Sequence, residues 1–156
     1  MLLRVMLILV LSFSILFAKA DDILGKWFTE SSSSKVEIYY KNNEYKGKIV
    51  WLKEPIYDAK HAKAGKEKAD DLNPDEKKKN APLVGLDFLW GFKYNESEKK
   101  WINGTIYNPE DGKTYYCTLQ FNKDGNLIVH GSVDAWGLLG KTQIWVKVTD
   151  ETAKAE

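Results

Sequence analysis

This sequence predicts an all-β fold, an eight-stranded antiparallel up-and-down β-barrel, and three observations carry that expectation. Short segments of alternating apolar and polar residues recur at close spacing between Leu24 and Val148. The links between them are built from Asn, Asp, Gly and Pro, the residues that turn a chain sharply. No long amphipathic helix is patterned between the segments, so neighbouring strands pair through hairpins rather than helical crossovers.

The first strand is expected over 24–30. The second, 35–41, alternates Val36, Ile38 and Tyr40 with polar neighbours. Asn42-Asn43 turns the chain into a third strand over 44–52, where Tyr45, Ile49 and Trp51 share a face. The fourth, 83–94, contains Gly85 and Gly91, which suggest bends or bulges. Further strands are expected at 100–107, 113–121, 126–133 and 141–148. Tyr115, Cys117, Leu119 and Phe121 should point inward from the sixth, and Leu127, Val129 and Val133 from the seventh. The last strand is ambiguous, because Ile144, Val146 and Val148 oppose Gln143, Trp145 and Lys147.

Residues 53–82 break the rhythm with eight lysines, seven acidic residues and few apolar anchors. Asn73-Pro74-Asp75-Glu76 has the composition of a helix start and 58–69 is a second helix candidate, so a partly helical, lid-like insertion is expected there. In an up-and-down arrangement this insertion shares one rim with 108–112 and with 134–140. The last of these is unusually apolar for a connection (Trp136, Leu138, Leu139) and is expected to gate a mouth.

Before the barrel, Arg4 precedes an apolar run over 5–17, and Ala18 and Ala20 place small residues three positions and one position before a cut at Asp21. The run is shorter than the roughly 20 residues needed to cross a bilayer, so 1–20 is expected to be a cleaved signal peptide of an exported, periplasmic or secreted bacterial protein. That leaves one barrel domain over 21–150 and a polar tail over 151–156. Removing Arg4 and Lys19 with the leader leaves 21 basic against 22 acidic side chains, and Arg4 is the sole arginine. Such a balance argues against nucleic acid as a partner, which requires a basic field. Cys117 is the single cysteine, which excludes an internal disulfide and a multi-cysteine zinc site.

Gly25-Lys26-Trp27 resembles the Gly-x-Trp signature of lipocalins and the wider calycin superfamily. More specifically, the chain resembles a family of small exported bacterial proteins of unknown function with a lipocalin-like barrel. The stretch Trp101-Ile102-Asn103-Gly104-Thr105-Ile106-Tyr107-Asn108-Pro109-Glu110-Asp111-Gly112-Lys113-Thr114-Tyr115 is the most specific part of that likeness. Asp70-Asp71-Leu72-Asn73-Pro74 and Leu83-Val84-Gly85-Leu86 extend it. In lipocalins an arginine from the last strand lies over the first-strand tryptophan. The resemblance implies that Gly25, Trp27 and, in place of the arginine, Lys147 close the barrel base here. It also departs from the lipocalin pattern, since the large insertion follows the third strand rather than the first.

No catalytic constellation emerges. Asp71, Asn73 and Asp75 mimic an EF-hand opening, but Glu76 stands where glycine is required. His61 and His130 are far apart, with His130 expected on an outer face, and neither metal nor cofactor is implied. Cys117 alternates with apolar neighbours and reads as a buried small hydrophobe. The aromatic inventory of six Trp, eight Tyr and six Phe is the positive signal. The expected function is a non-enzymatic binder, monomer or weak dimer without stable membrane insertion, that holds a small hydrophobic or amphipathic ligand inside the barrel. Ile38, Tyr40, Tyr45, Ile49, Trp51, Tyr107, Tyr115, Cys117 and Leu119 would form its wall and Trp136, Leu138 and Leu139 its gate. The alternative is a surface-recognition module for glycan or protein, using Trp90, Trp101 and Trp136 as exposed aromatics.

Overall fold

The computed structural model describes residues 19–153. The expected signal-peptide residues 1–18 and the last three residues of the polar tail lie outside them. Eight strands form a closed barrel in sequence order: β1 (Gly25–Phe28), β2 (Ser34–Lys41), β3 (Glu44–Leu52), β4 (Asp87–Asn95), β5 (Lys100–Asn108), β6 (Lys113–Phe121), β7 (Leu127–Ser132) and β8 (Gly140–Lys147). Each neighbouring pair is antiparallel, and β1 closes the ring on β8 through Trp27↔Lys147 and Phe28↔Val146. The closing ladder is short, and beyond it the Ile144 N–H of β8 is taken by Glu30 Oε1 at 3.2 Å. Among the described residues no helix is long and apolar enough to cross a membrane.

The fourth strand begins later than its apolar content suggests. Leu86 N–H turns back to the Leu83 carbonyl, and Gly85 N–H bonds the Ile49 carbonyl, so 83–86 is a turn leading into β4. Within β4 the chain bends at Gly91, whose φ is +82°, and the register against β3 shifts between Tyr45 and Gly47.

Period-two alternation sends Val36, Ile38, Tyr45, Ile49, Cys117, Leu119, Leu127 and Val129 into one buried cluster. In β8 the ambiguity resolves in favour of Trp145, which is 1% exposed, while Ile144 and Val146 face outward. Trp27, Trp101 and Trp145 are among the largest fully buried side chains. At the base, Trp101 packs against Phe121 (5.3 Å between ring centres), Tyr94 (4.9 Å) and Tyr45 (6.3 Å).

A 3-10 turn, Ala20–Ile23, plugs that base. Ile23 is completely buried, Tyr45 Oη donates to Asp21 Oδ1 at 2.8 Å, and Trp101 Nε1 donates to the Ala20 carbonyl at 3.1 Å. Trp27 Nε1 donates to the Ile23 carbonyl at 2.8 Å. Lys147 Nζ lies 4.4 Å from the Trp27 ring centre and donates to the Leu24 carbonyl at 2.5 Å and the Asp22 carbonyl at 3.2 Å. The lysine thus takes the closing position that the sequence resemblance assigns to an arginine, by cation–π contact plus two hydrogen bonds.

The insertion corrects an expectation: neither 58–69 nor the segment after Asn73 is helical. The reason is local competition for backbone donors. Asn73 Oδ1 takes the Asp75 N–H, Asp75 Oδ1 the Lys77 N–H and Asp58 Oδ1 the Lys60 N–H, each two residues on. The backbone bonds that remain there, such as Lys78 N–H to Asp75 O and Ala81 N–H to Lys78 O, close single turns. Two isolated bridges, Ile56↔Glu67 and Ala69↔Pro82, fold the segment on itself.

Candidate functional site at the barrel mouth

Strand order places connections 29–33, 53–86, 109–112 and 133–139 on one rim and the short hairpins on the other. The elaborated rim contains a cleft of about 620 Å³, bounded by the insertion (Asn73, Pro74, Lys78), the start of β4 (Leu86, Asp87, Trp90), the β5–β6 hairpin and Val133. A volume of that size accommodates a small ligand.

The insertion is fastened at this point by a buried carboxylate. Asp70 has no exposed surface; its Oδ1 accepts the Tyr107 hydroxyl at 2.6 Å and its Oδ2 accepts the Asn73 side-chain amide at 2.6 Å. Burial, reinforced by the Asp70 carboxylate, raises the Tyr107 phenol above its ordinary value and keeps it a donor. Gly112 completes the junction. Its φ is +69°, and a Cβ there would stand 2.1 Å from the Leu72 carbonyl oxygen, so only glycine lets the insertion and the hairpin approach so closely.

A second network stiffens the insertion farther out. Tyr57 stacks on His61 at 4.1 Å, and its hydroxyl donates to Asp71 at 2.5 Å; Lys63 Nζ meets the same carboxylate at 2.6 Å. The Lys63 and Tyr57 hydrogen bonds hold the Asp71 carboxyl below the usual carboxylate range.

The cleft walls are chemically divided. Leu86, Trp90, Pro74 and Val133 supply apolar surface, while Lys78 and Lys113 bring cationic side chains to the lining. Tyr115 Oη donates to Asp111 Oδ2 at 2.5 Å, which raises the phenol and lowers the carboxyl. Asp87 accepts the Tyr39 hydroxyl at 2.6 Å; burial first, then this carboxylate, pushes Tyr39 up to about 12. This arrangement can receive an apolar body with a polar or anionic head. It brings together no acid–base pair aimed at a common point.

Of the residues expected to line a ligand site, Tyr107 and Tyr115 reach this cleft. Ile38, Tyr45, Ile49, Cys117 and Leu119 are instead packed in the core. Alternation shows which face turns inward, and the rings of Trp27, Phe88, Phe92, Trp101 and Trp145 share that buried interior with them. Tyr40 is 51% exposed at the opposite end of β2. Trp51 stands at the rim, edge-on to Phe28, with Lys35 Nζ 4.5 Å from its ring centre. Trp136, Leu138 and Leu139 are exposed and are not among the residues that line the cleft, although Val133 of the same connection is. Their loop folds back along the wall, with the Gly137 carbonyl bonded to His130 Nε2 at 2.9 Å. Trp101 is buried and drops out as a surface aromatic, and Trp90 is half-buried in the cleft. Sequence patterning does not mark Asn73, Lys78, Leu86 and Lys113 as ligand residues; the Asn73-Pro74 turn and the run of lysines after it are the signals it offers.

A family model described as "Uncharacterized protein conserved in bacteria (DUF2147)" matches residues 25–147, from the first strand to the last. The chain belongs to this family. A solved structure, Protein HP1028 from the human pathogen Helicobacter pylori, described as belonging to the lipocalin family, is similar to it. The two share 30% sequence identity and a TM-score of 0.68, over 85% of this chain and 87% of that one. No curated protein matches. The barrel is thus lipocalin-like, and such a barrel suggests binding of small ligands in general.

Proposed function

We propose that this protein is an exported, non-catalytic binder of a small amphipathic molecule, a fatty acid or a lipid of similar size, held at the barrel mouth. The observation that carries this reading is the cleft itself: Trp90, Leu86, Pro74 and Val133 offer an apolar wall, and Lys78 and Lys113 stand beside it to meet an anionic head. The aromatic packing at the base favours the mouth over the deep interior. A binding rather than catalytic role agrees with Cys117, a buried thiol that burial pushes up to about 12 and that therefore lacks thiolate character.

Native mass spectrometry of protein from its own host, followed by displacement of a fluorescent fatty acid, tests the reading. Wild type is expected to bind the probe, and Trp90→Ala to weaken it by about 1–2 kcal/mol, or roughly tenfold. Absence of both a native adduct and probe binding would end it. Export has its own check: the intact mass of protein recovered from the periplasm or medium should correspond to a chain starting at Asp21, which keeps the Tyr45–Asp21 bond and gives up the Ala20 carbonyl that Trp101 Nε1 meets in the full-length chain.

A further inference from the structure

Residues 54–82 are closed on themselves. Tyr57 N–H bonds the Lys66 carbonyl at 2.9 Å, Lys68 N–H that of Pro55 at 2.8 Å, and Asp70 N–H that of Ala81 at 2.9 Å. Ion pairs within the segment join Lys63 to Asp71, Lys68 to Glu54, Lys78 to Asp75 and Lys79 to Glu76. Ile56 and Leu72 are exposed, so these large apolar side chains do little to hold the segment down. It meets the barrel at two necks, where Lys53 N–H bonds the Ser33 carbonyl (2.9 Å) and Gly85 N–H the Ile49 carbonyl (2.7 Å). Gly85 has a φ of +97° with open space where a Cβ would stand, so backbone freedom rather than crowding calls for glycine there.

Between the necks, the segment is joined to the barrel by a carboxylate that is not itself among the residues lining the cleft. Asp70, fully buried, accepts the Tyr107 hydroxyl on Oδ1 and the Asn73 side-chain amide on Oδ2, each at 2.6 Å. Both of those side chains do line the cleft, Tyr107 from β5 and Asn73 from the insertion. We propose that residues 54–82 form a hinged jaw of the mouth cleft and that Asp70 is the positioning residue that clasps it to the barrel. Asn73, Pro74 and Lys78 ride on the jaw, while Trp90, Tyr107 and Tyr115 belong to the strands, so the clasp sets the gap between two walls. Asn73 passes the constraint on, because its Oδ1 takes the Asp75 N–H at 2.9 Å and so ties the clasp to the turn that carries Pro74. A jaw held in advance spares a bound molecule the cost of ordering it. With the cleft as the binding site proposed above, on which this reading rests, affinity should depend on a side chain that the ligand does not touch.

Two readouts test the proposal: binding of a fluorescent fatty-acid probe, and electron–electron distances between spin labels at Lys77→Cys on the jaw and Lys123→Cys on the opposite hairpin. Both lysines are exposed, and Cys117 is buried away from the label. The otherwise unaltered chain should give one narrow distance. Asp70→Ala should broaden it or add a second, and should weaken the probe about tenfold. Asp70→Asn should restore both, because an amide can accept from Asn73 while donating to the Tyr107 oxygen. Circular dichroism confirms that each variant is folded at the temperature used, and lost stability alone does not move a distance in a folded chain. Should Asp70→Ala fail to fold, Tyr107→Phe keeps the ring, removes one half of the clasp and carries the same distance test. A distance that stays narrow in the folded variant overturns the jaw. A folded Asp70→Ala with undiminished probe affinity, or an asparagine variant no better than the alanine one, overturns the clasp. Distances that broaden while the unaltered protein ignores the probe uphold the jaw and remove the fatty-acid reading, so the two fail separately.

Discussion

Lys147 ties the last strand to the first at the barrel base, and its worth is measurable. Burial lowers its ammonium below the ordinary lysine value, yet it still donates to two carbonyls beneath the Trp27 ring. Lys147→Met removes the cation–π contact and leaves those carbonyls unpaired, an expected loss of about 1–3 kcal/mol in urea denaturation. The lipocalin resemblance points to this residue, and an up-and-down topology, which ends its last strand beside the start of its first, permits the contact. The crowding at Gly104 was not legible in this way. A Cβ there would fall 2.0 Å from the Phe92 ring, a contact between strands that no single-strand pattern reveals. Gly104→Ala should therefore cost about 3 kcal/mol in the same measurement. Cys117, 2% exposed, should resist a thiol reagent in the native protein and react once it is unfolded.

The loop after β7 depends on one carboxylate. Hydrogen bonds from Leu138, Leu139 and Trp136 hold the Asp134 carboxyl below its ordinary value of 3.8. The folded loop therefore binds that proton less readily than the unfolded chain, and the carboxylate's support is fully present above that ordinary value. It is lost only as pH falls through the lowered one. The protection of the Trp136, Leu138 and Leu139 amides, their exchange relative to an unstructured chain at the same pH, should hold near pH 5 and fall in stronger acid; Asp134→Ala should show the low protection at every pH. The insertion teaches a different lesson. Its Asn-Pro-Asp-Glu start and Ala/Lys content favour a helix by propensity, but Asx-type bonds and the fastening of Asp70 to Tyr107 decide the outcome. Asp70→Ala leaves the Tyr107 hydroxyl buried without its acceptor, and thermal unfolding should register a loss of about 2–3 kcal/mol.

For the molecule as a whole, topology and filling of the barrel differ in how they are written. Alternation, hairpin chemistry and the Gly-x-Trp start specify a closed ring of eight strands, because each is a local signal with a local consequence. Whether the ring encloses space depends on how Trp27, Trp101, Trp145 and Phe92 meet across it, which is a matter of three-dimensional packing. Ile38, Tyr45, Ile49, Cys117 and Leu119 join the core, and the cleft lies at the rim, where Asn73, Pro74 and Lys78 lie close to Trp90 and Val133. Backbone amide NMR during titration with a medium-chain fatty acid separates these locations. Shifts should concentrate at Asn73, Lys78, Trp90, Lys113, Tyr115 and Val133, with Ile38, Cys117 and Leu119 unmoved. Saturable shifts centred on the interior residues, or no shifts at all, would contradict a binding site at the mouth.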